Sequence, residues 1–373
     1  MTLVDQLAPL LRPAGGGIHL VSTGKAEQAS LVRRLAGAAT DAEVELRWRH
    51  ELGRAATARA VLLGIPCDVG AGFRRGANLA PAAIRAELLD RDPSWFERAR
   101  AAGLVDLGDV FTVPQLLHDE MLSEAQLEAC RRSLYVGVAA GEALPVSPLS
   151  IAERVFRQLL AVNPGVRLLT LGGDHSAAWP AVAALAAARP GLGLVQLDAH
   201  TDLLAERLGV RLCFGTWSFH ANELLGRGGR LVQVGIRASR RDRAHWESTL
   251  DVRQLWADEV RRDPGAAVER VVALCRAAGV KALVLSNDID GLDPAFATGT
   301  GTPEPDGLSL DFVLALIRRL GREFELVGGD VMEVAPDLAA TPEARSLTLA
   351  TATRCLRATC DAMLGTGARD GLS

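Results

Sequence analysis

Short, almost continuously apolar runs recur along the chain: Ala60–Pro66, Val105–Val110, Leu168–Gly173, Leu194–Ala199, Leu231–Arg237, Ala282–Asp288 and Glu325–Val334. Between them lie stretches in which apolar residues return every three or four positions, among them Pro81–Leu89, Glu153–Val162, Ala266–Gly279 and Leu310–Leu320. Apolar strands that alternate with amphipathic helices predict an α/β fold with a mostly parallel sheet covered on both faces. Ahead of this pattern, residues 1–57 read as an N-terminal extension. They hold one strand-like run, Ile18–Gly24, and one helix-like run, Ala26–Ala38, as a βα unit. Residues 58–373 read as one α/β domain. The interval Phe111–Ser150 is less regular and predicts a helix lying over the surface.

Polar residues cluster where three of the strands end. Leu194–Leu197 runs into Asp198, His200 and Asp202, which alternate and so share a direction in extended chain. Leu283–Asp290 ends in Asp288 and Asp290, with Asp293-Pro294 closing a turn, and Leu168–Ser176 ends in two glycines and His175. In parallel sheets, sites form at the carboxyl edge, so all six side chains are expected at one place. Four crowded carboxylates repel one another unless cations sit among them, and two divalent metals would resolve the conflict. Carboxylates with two imidazoles and no thiolate suit Mn²⁺. The expected metal ligands are His175, Asp198, His200, Asp202, Asp288 and Asp290, holding two Mn²⁺ per chain. Asp202 is also expected to orient a metal-activated water, while Ser176, Ser286 and Asp174 would orient the ligands.

On the segments GGDHS (Gly172–Ser176), DAHTD (Asp198–Asp202) and SNDIDGLDP (Ser286–Pro294), the chain resembles the ureohydrolase family of arginase, agmatinase, guanidinobutyrase and formimidoylglutamase. The likeness extends to Leu63–Arg85, Val105–Val110, Pro294–Ser309 and Gly328–Pro336. It implies a three-layer α/β/α sandwich, a binuclear Mn²⁺ centre, and hydrolysis of a guanidino compound, agmatine-like or arginine-like, with release of urea. It further implies a homo-oligomer, trimer or hexamer, and a carboxylate at Glu333 that grips the small cationic substrate. One position departs from the family. Where its members commonly carry a His-Gly pair, this chain has Phe214-Gly215. Phenylalanine cannot carry a proton, so His220 is a candidate donor to the leaving group and Phe214 with Trp217 would make the mouth aromatic. Two alternatives stay open: a formiminoglutamate-type hydrolase, and a catalytically weak metal-binding subunit.

Composition narrows the setting. The chain has 373 residues, 49% hydrophobic and 23% charged, enough for a full α/β core, and its net charge of −4 offers no footprint for nucleic acid. No cationic region precedes an apolar core near Met1, and the longest apolar stretch, Ala177–Ala188, contains Pro180 and is followed by Arg189. Neither a signal peptide nor a membrane span is expected. Six cysteines without metal spacing, mostly in apolar surroundings, read as reduced core thiols in cytoplasm. The glycines of Asp68–Gly76 lack dinucleotide-loop spacing and are expected to line the site mouth. The loop of Gly299, Gly301, Pro303 and Pro305 reads equally as a surface turn or a substrate contact.

Overall fold

The computed structural model describes residues 2–366. Its strands are β1 (Leu11–Arg12), β2 (Ala60–Gly64), β3 (Leu104–Val110), β4 (Arg167–Leu171), β5 (Gly193–Leu197), β6 (Leu231–Ile236), β7 (Arg253–Trp256), β8 (Ala282–Asn287) and β9 (Glu325–Val331). They form one nine-stranded sheet in the order β1-β3-β2-β4-β9-β8-β5-β6-β7. Every pair is parallel except β1 with β3. All seven strands predicted beyond residue 58 are present. The short edge strands β1 and β7 are additional.

Alternation along the strands sends successive side chains to opposite faces, and each face has its own core. Leu62, Leu169, Val195 and Val232 pack with the helices Ala80–Arg91, Pro264–Ala277, Leu310–Glu323 and Pro342–Leu364. Val61, Leu168, Leu194 and Leu231 pack with Asp41–Arg54, Pro148–Val162, Trp179–Ala188 and Trp217–Leu224 on the other side. This is the three-layer α/β/α sandwich expected from the sequence. The helix Leu310–Glu323 shows why such segments are helical. Its buried Phe312, Val313, Leu316, Ile317 and Leu320 share one stripe, and the Ser309 hydroxyl accepts the Phe312 N–H to start it.

The first 57 residues differ from the expected βα unit. The helix at Lys25–Ala36 matches, but Ile18–Gly24 is not a strand and forms only a single bridge, Ile18 to Thr112. The strand that joins the sheet is Leu11–Arg12, and a further helix, Asp41–Arg54, packs against β3, where the Trp48 indole donates to the Leu107 carbonyl at 2.8 Å. In the interval Phe111–Ser150, the helix Glu124–Leu134 has no buried residue, as a surface helix should. All six cysteines are free; five are buried and Cys130 is partly so. Among the described residues no helix is long and apolar enough to cross a membrane.

Candidate metal centre

The strands that carry the polar motifs, β4, β9, β8 and β5, are consecutive at the middle of the sheet. Their carboxyl ends therefore converge, and the two glycines after β4 permit the close fit. A Cβ on Gly173 would lie 1.8 Å from the Cys67 carbonyl oxygen, and one on Gly172 would lie 1.9 Å from the Met332 sulfur. His175 follows at the start of a short 3₁₀ turn, where the Asp174 carboxylate accepts the Ser176 N–H.

All six expected ligands meet, in two clusters joined by Asp198. Nδ1 of His175 stands 3.1 Å from Asp198 Oδ2, 3.4 Å from Asp202 Oδ2 and 2.9 Å from Asp288 Oδ2. Nδ1 of His200 stands 3.6 Å from Asp198 Oδ1 and 3.1 Å from Asp290 Oδ2. The two oxygens of Asp198 thus face different imidazoles. His175, Asp198 and Asp202 could hold one ion, and Asp198, His200 and Asp290 another.

Hydrogen bonding behind His175 fixes which nitrogen faces the acids. The Ser286 hydroxyl lies 2.9 Å from His175 Nε2 and donates to the Asp330 carboxylate at 3.0 Å. A hydroxyl has one proton, so Ser286 accepts from Nε2–H, which leaves a lone pair on Nδ1. That buried Nδ1 makes no well-directed hydrogen bond, although three carboxylate oxygens crowd it. A lone pair facing carboxylate oxygens is repulsive without a cation between them, so the donor set fits metal ions.

Without such ions the charges compensate one another poorly. Burial pushes Asp202 up to about 6, with the Asp198 charge adding to the shift. Burial, Asp290 and Asp198 together raise Asp288 well above the carboxylate range. Burial would also raise Asp198, but the two imidazoles outweigh it and hold that carboxyl low. Burial opposes protonation of both histidines, yet their carboxylate partners raise His175 far up and His200 to about 12. Protons and metal ions therefore compete for the same lone pairs. Among the described residues no lysine or arginine forms an ion pair with these four acids.

Several contacts were not anticipated from the sequence. Trp217 is fully buried rather than at the mouth; its ring lies 4.5 Å from that of His175 and its indole donates to Asp202 Oδ2 at 3.1 Å. The loop after β8 is more than a surface turn. Thr302 donates to Asp290 Oδ2 at 2.9 Å, and Glu304 Oε1 is 3.8 Å from His200 Nε2. The guanidinium of Arg237 holds this loop through the carbonyls of Asp290, Leu292, Glu304 and Pro305. Ser286 hydrogen-bonds to His175, whereas Ser176 and Asp174 hydrogen-bond to each other.

Glu333 follows β9 and is buried, with φ of 59°, and Asp202 has φ of 52°. Both occupy the left-handed region that costs a non-glycine residue free energy, a form of strain concentrated at functional sites. Glu333 Oε1 accepts the His175 N–H at 2.8 Å, and among the described residues no arginine or lysine pairs with it. Burial and the nearby Asp174 raise its pKa well above the usual range. His220 sits differently: its Nε2 reaches the carbonyls of Ala205 and Arg211 at 3.0 and 3.1 Å, which ties down the loop leading to Phe214. Phe214 packs against the Gly70–Gly72 turn, as its N–H donates to the Gly70 carbonyl, and the Arg207 guanidinium lies 5.5 Å above its ring. Gly70 in turn abuts Ser176 and Asp174, which puts the Asp68–Gly76 loop beside the site. A cavity of about 800 Å³ lies elsewhere, between Leu35, Trp48, Phe96 and Leu104, and includes none of these residues.

The sequence profile of the arginase family matches residues 58–358, most of the chain. The chain belongs to the arginase family. It is 35% identical over 286 residues to an agmatinase of Edwardsiella ictaluri, covering 74% of this chain and 80% of that protein. A guanidinobutyrase of Pseudomonas aeruginosa is 31% identical over 285 residues, covering 74% and 79%. The solved structure of proclavaminate amidinohydrolase from Streptomyces clavuligerus superposes with a TM-score of 0.62 at 30% identity, covering 81% of this chain and 92% of that one. Within this family member, the matched region includes every candidate ligand and Glu333, and begins where the N-terminal extension ends.

Proposed function

We propose that the protein is a binuclear, Mn²⁺-dependent amidinohydrolase that releases urea from a small guanidino compound. One observation carries the reading: the two oxygens of Asp198 face two imidazole nitrogens, each also crowded by a further carboxylate, which is the donor arrangement of a shared metal ligand. The agmatinase, guanidinobutyrase and amidinohydrolase relatives support the reaction class.

His175, Asp198, Asp202 and Asp288 would hold one ion, and Asp198, His200 and Asp290 the other. Bound divalent ions supply Lewis acidity and lower the pKa of a water towards neutrality. The chain's own groups do the rest. Glu333 is a buried acid without an arginine or lysine partner among the described residues, so a guanidinium that enters gains charge-assisted hydrogen bonds there. One Glu333 oxygen is already anchored on the His175 amide, which aims the carboxylate rather than letting it turn. Asp202 is fixed by the Trp217 indole and has one oxygen left to orient a water by hydrogen bonding. His220 gives its Nε2–H to two carbonyls, so we assign it to holding the mouth loop and the leaving amine's proton to solvent.

The direct test is product analysis with Mn²⁺-loaded protein and a panel of agmatine, arginine, 4-guanidinobutyrate and formiminoglutamate. Urea from one of the guanidino compounds is expected. Formamide from the last alone would favour the formimino reading, and no product from any would favour a weak metal-binding subunit. Phe214→His separates a re-tuned mouth from a decayed one. The substitution removes the ring that carries Arg207 and places a basic group beside a cationic substrate. Turnover of the best substrate should fall by about two- to fivefold. A rise of about tenfold would mean that a missing proton carrier had been restored.

A further inference from the structure

Three glutamines cross the sheet beside the metal centre. Gln196 on β5 pairs in register with Gln233 on β6, and Gln233 with Gln254 on β7. All three are buried, in strands whose other residues are almost entirely apolar. Residues in register share a face, so the three amides form a ladder across strands spaced about 4.8 Å apart. The ladder continues two residues along the strand at each end. Trp256 Nε1 donates to Gln254 Oε1 at 3.0 Å, Gln254 Nε2 to Gln233 Oε1 at 2.8 Å, and Gln233 Nε2 to Gln196 Oε1 at 2.8 Å. Gln196 Nε2 then donates to Asp198 Oδ2 at 2.7 Å.

The direction of this chain is set by its ends. An indole N–H can only donate and a carboxylate can only accept, so one orientation of all three amides satisfies every link. Two side branches brace it: Gln233 Nε2 also donates to the Thr201 carbonyl at 2.6 Å, and the Ser218 hydroxyl to Gln196 Oε1 at 2.6 Å. Thr201 lies between His200 and Asp202, and Ser218 follows the Trp217 that holds Asp202. Apolar residues would fill this layer without needing partners, and a polar network in such a place is advantageous only when every member is satisfied.

From this juxtaposition we infer that Gln196, Gln233 and Gln254 are positioning residues for the metal centre. The ladder holds one oxygen of Asp198 by a directed N–H and pins the loop to Asp202. Asp198 is thereby kept in the rotamer that turns its two oxygens to two imidazoles. The inference rests on the metal assignment above. It extends the determinants of metal affinity to β7 at the sheet edge, about 10 Å from β5.

The test measures Mn²⁺ affinity of chelator-stripped, full-length protein from the electron paramagnetic resonance signal of free Mn²⁺, with thermal unfolding of the metal-free chain alongside. Gln233→Met keeps length and volume and removes the link. It should weaken Mn²⁺ binding by about tenfold or more, the size expected when a partner behind a ligand is lost. Because the links act in series, adding Gln233→Met to Gln196→Met should cost less than the two changes separately. The triple variant Gln196→Met, Gln233→Met and Gln254→Met leaves no unpaired glutamine amide in the layer, so it should fold and still bind Mn²⁺ weakly. A triple variant that binds as tightly as wild type overturns the role of the ladder alone. A wild-type chain that holds no Mn²⁺ overturns the metal assignment, and this role with it.

Discussion

Asp198→Asn should strip the protein of most of its metal while leaving the fold intact. The side chain faces both imidazoles, through Oδ2 to His175 and Oδ1 to His200, so its loss should be felt at both ions. Asparagine keeps the shape and one acceptor oxygen but loses the negative charge, and its amide nitrogen would point donors at one of the metal positions. Loss of a partner behind a ligand commonly costs ten- to a hundredfold in metal affinity, so a shared ligand should cost more than about a hundredfold. Metal analysis after loading and desalting should find well under one Mn²⁺ per chain, with an unchanged far-ultraviolet dichroism spectrum. Retention of the wild-type metal content would remove Asp198 from the ligand set.

Glu333→Gln should do the reverse, leaving the metals bound and removing turnover. The carboxylate contacts the His175 amide rather than either imidazole, and glutamine's carbonyl oxygen can still accept that N–H. What disappears is the charge that would meet a guanidinium inside a buried site, where charge-assisted bonds count most. Activity on the best guanidino substrate should drop by about a hundredfold or more. Much of the loss should appear in KM if Glu333 grips the ground state, and in kcat if it grips the changing geometry of the guanidinium carbon. Near-normal turnover with every guanidino substrate would assign Glu333 to structure.

The sequence was informative wherever one strand and its end suffice to make a motif. The apolar run into Asp198, His200 and Asp202 foretold both a strand and its direction, and the same held for Asp288 with Asp290 and for His175. What it could not supply was the order of strands that sets these ends side by side. At the edges the signal failed for local reasons. Leu11–Arg12 is too short for alternation to register and is followed by Pro13, while Ile18–Gly24 has the composition of a strand but is held mainly by the His19 amide on the Thr112 carbonyl. Trp217 packs on His175 instead of lining the mouth; spacing alone does not reveal which way the first turn of a helix points. Thr302 reaches Asp290, and Glu304 reaches His200, on a loop that Arg237 holds back through its carbonyls. The glutamine ladder was invisible for a similar reason. A single Gln interrupts each apolar run without comment, and only register across three strands aligns them. Likewise the left-handed backbone of Asp202 and Glu333 has no counterpart in sequence.

On the proposed function, two metal ions are needed to cleave a guanidino carbon–nitrogen bond. Stripping the protein with chelator and following urea release as Mn²⁺ is added back, with the best substrate of the panel, tests this dependence directly. We expect no urea from the stripped chain, and a rise that saturates near about two equivalents of Mn²⁺ per chain. Urea release that survives complete stripping, or a folded and loaded chain that releases none from any guanidino compound, would contradict it.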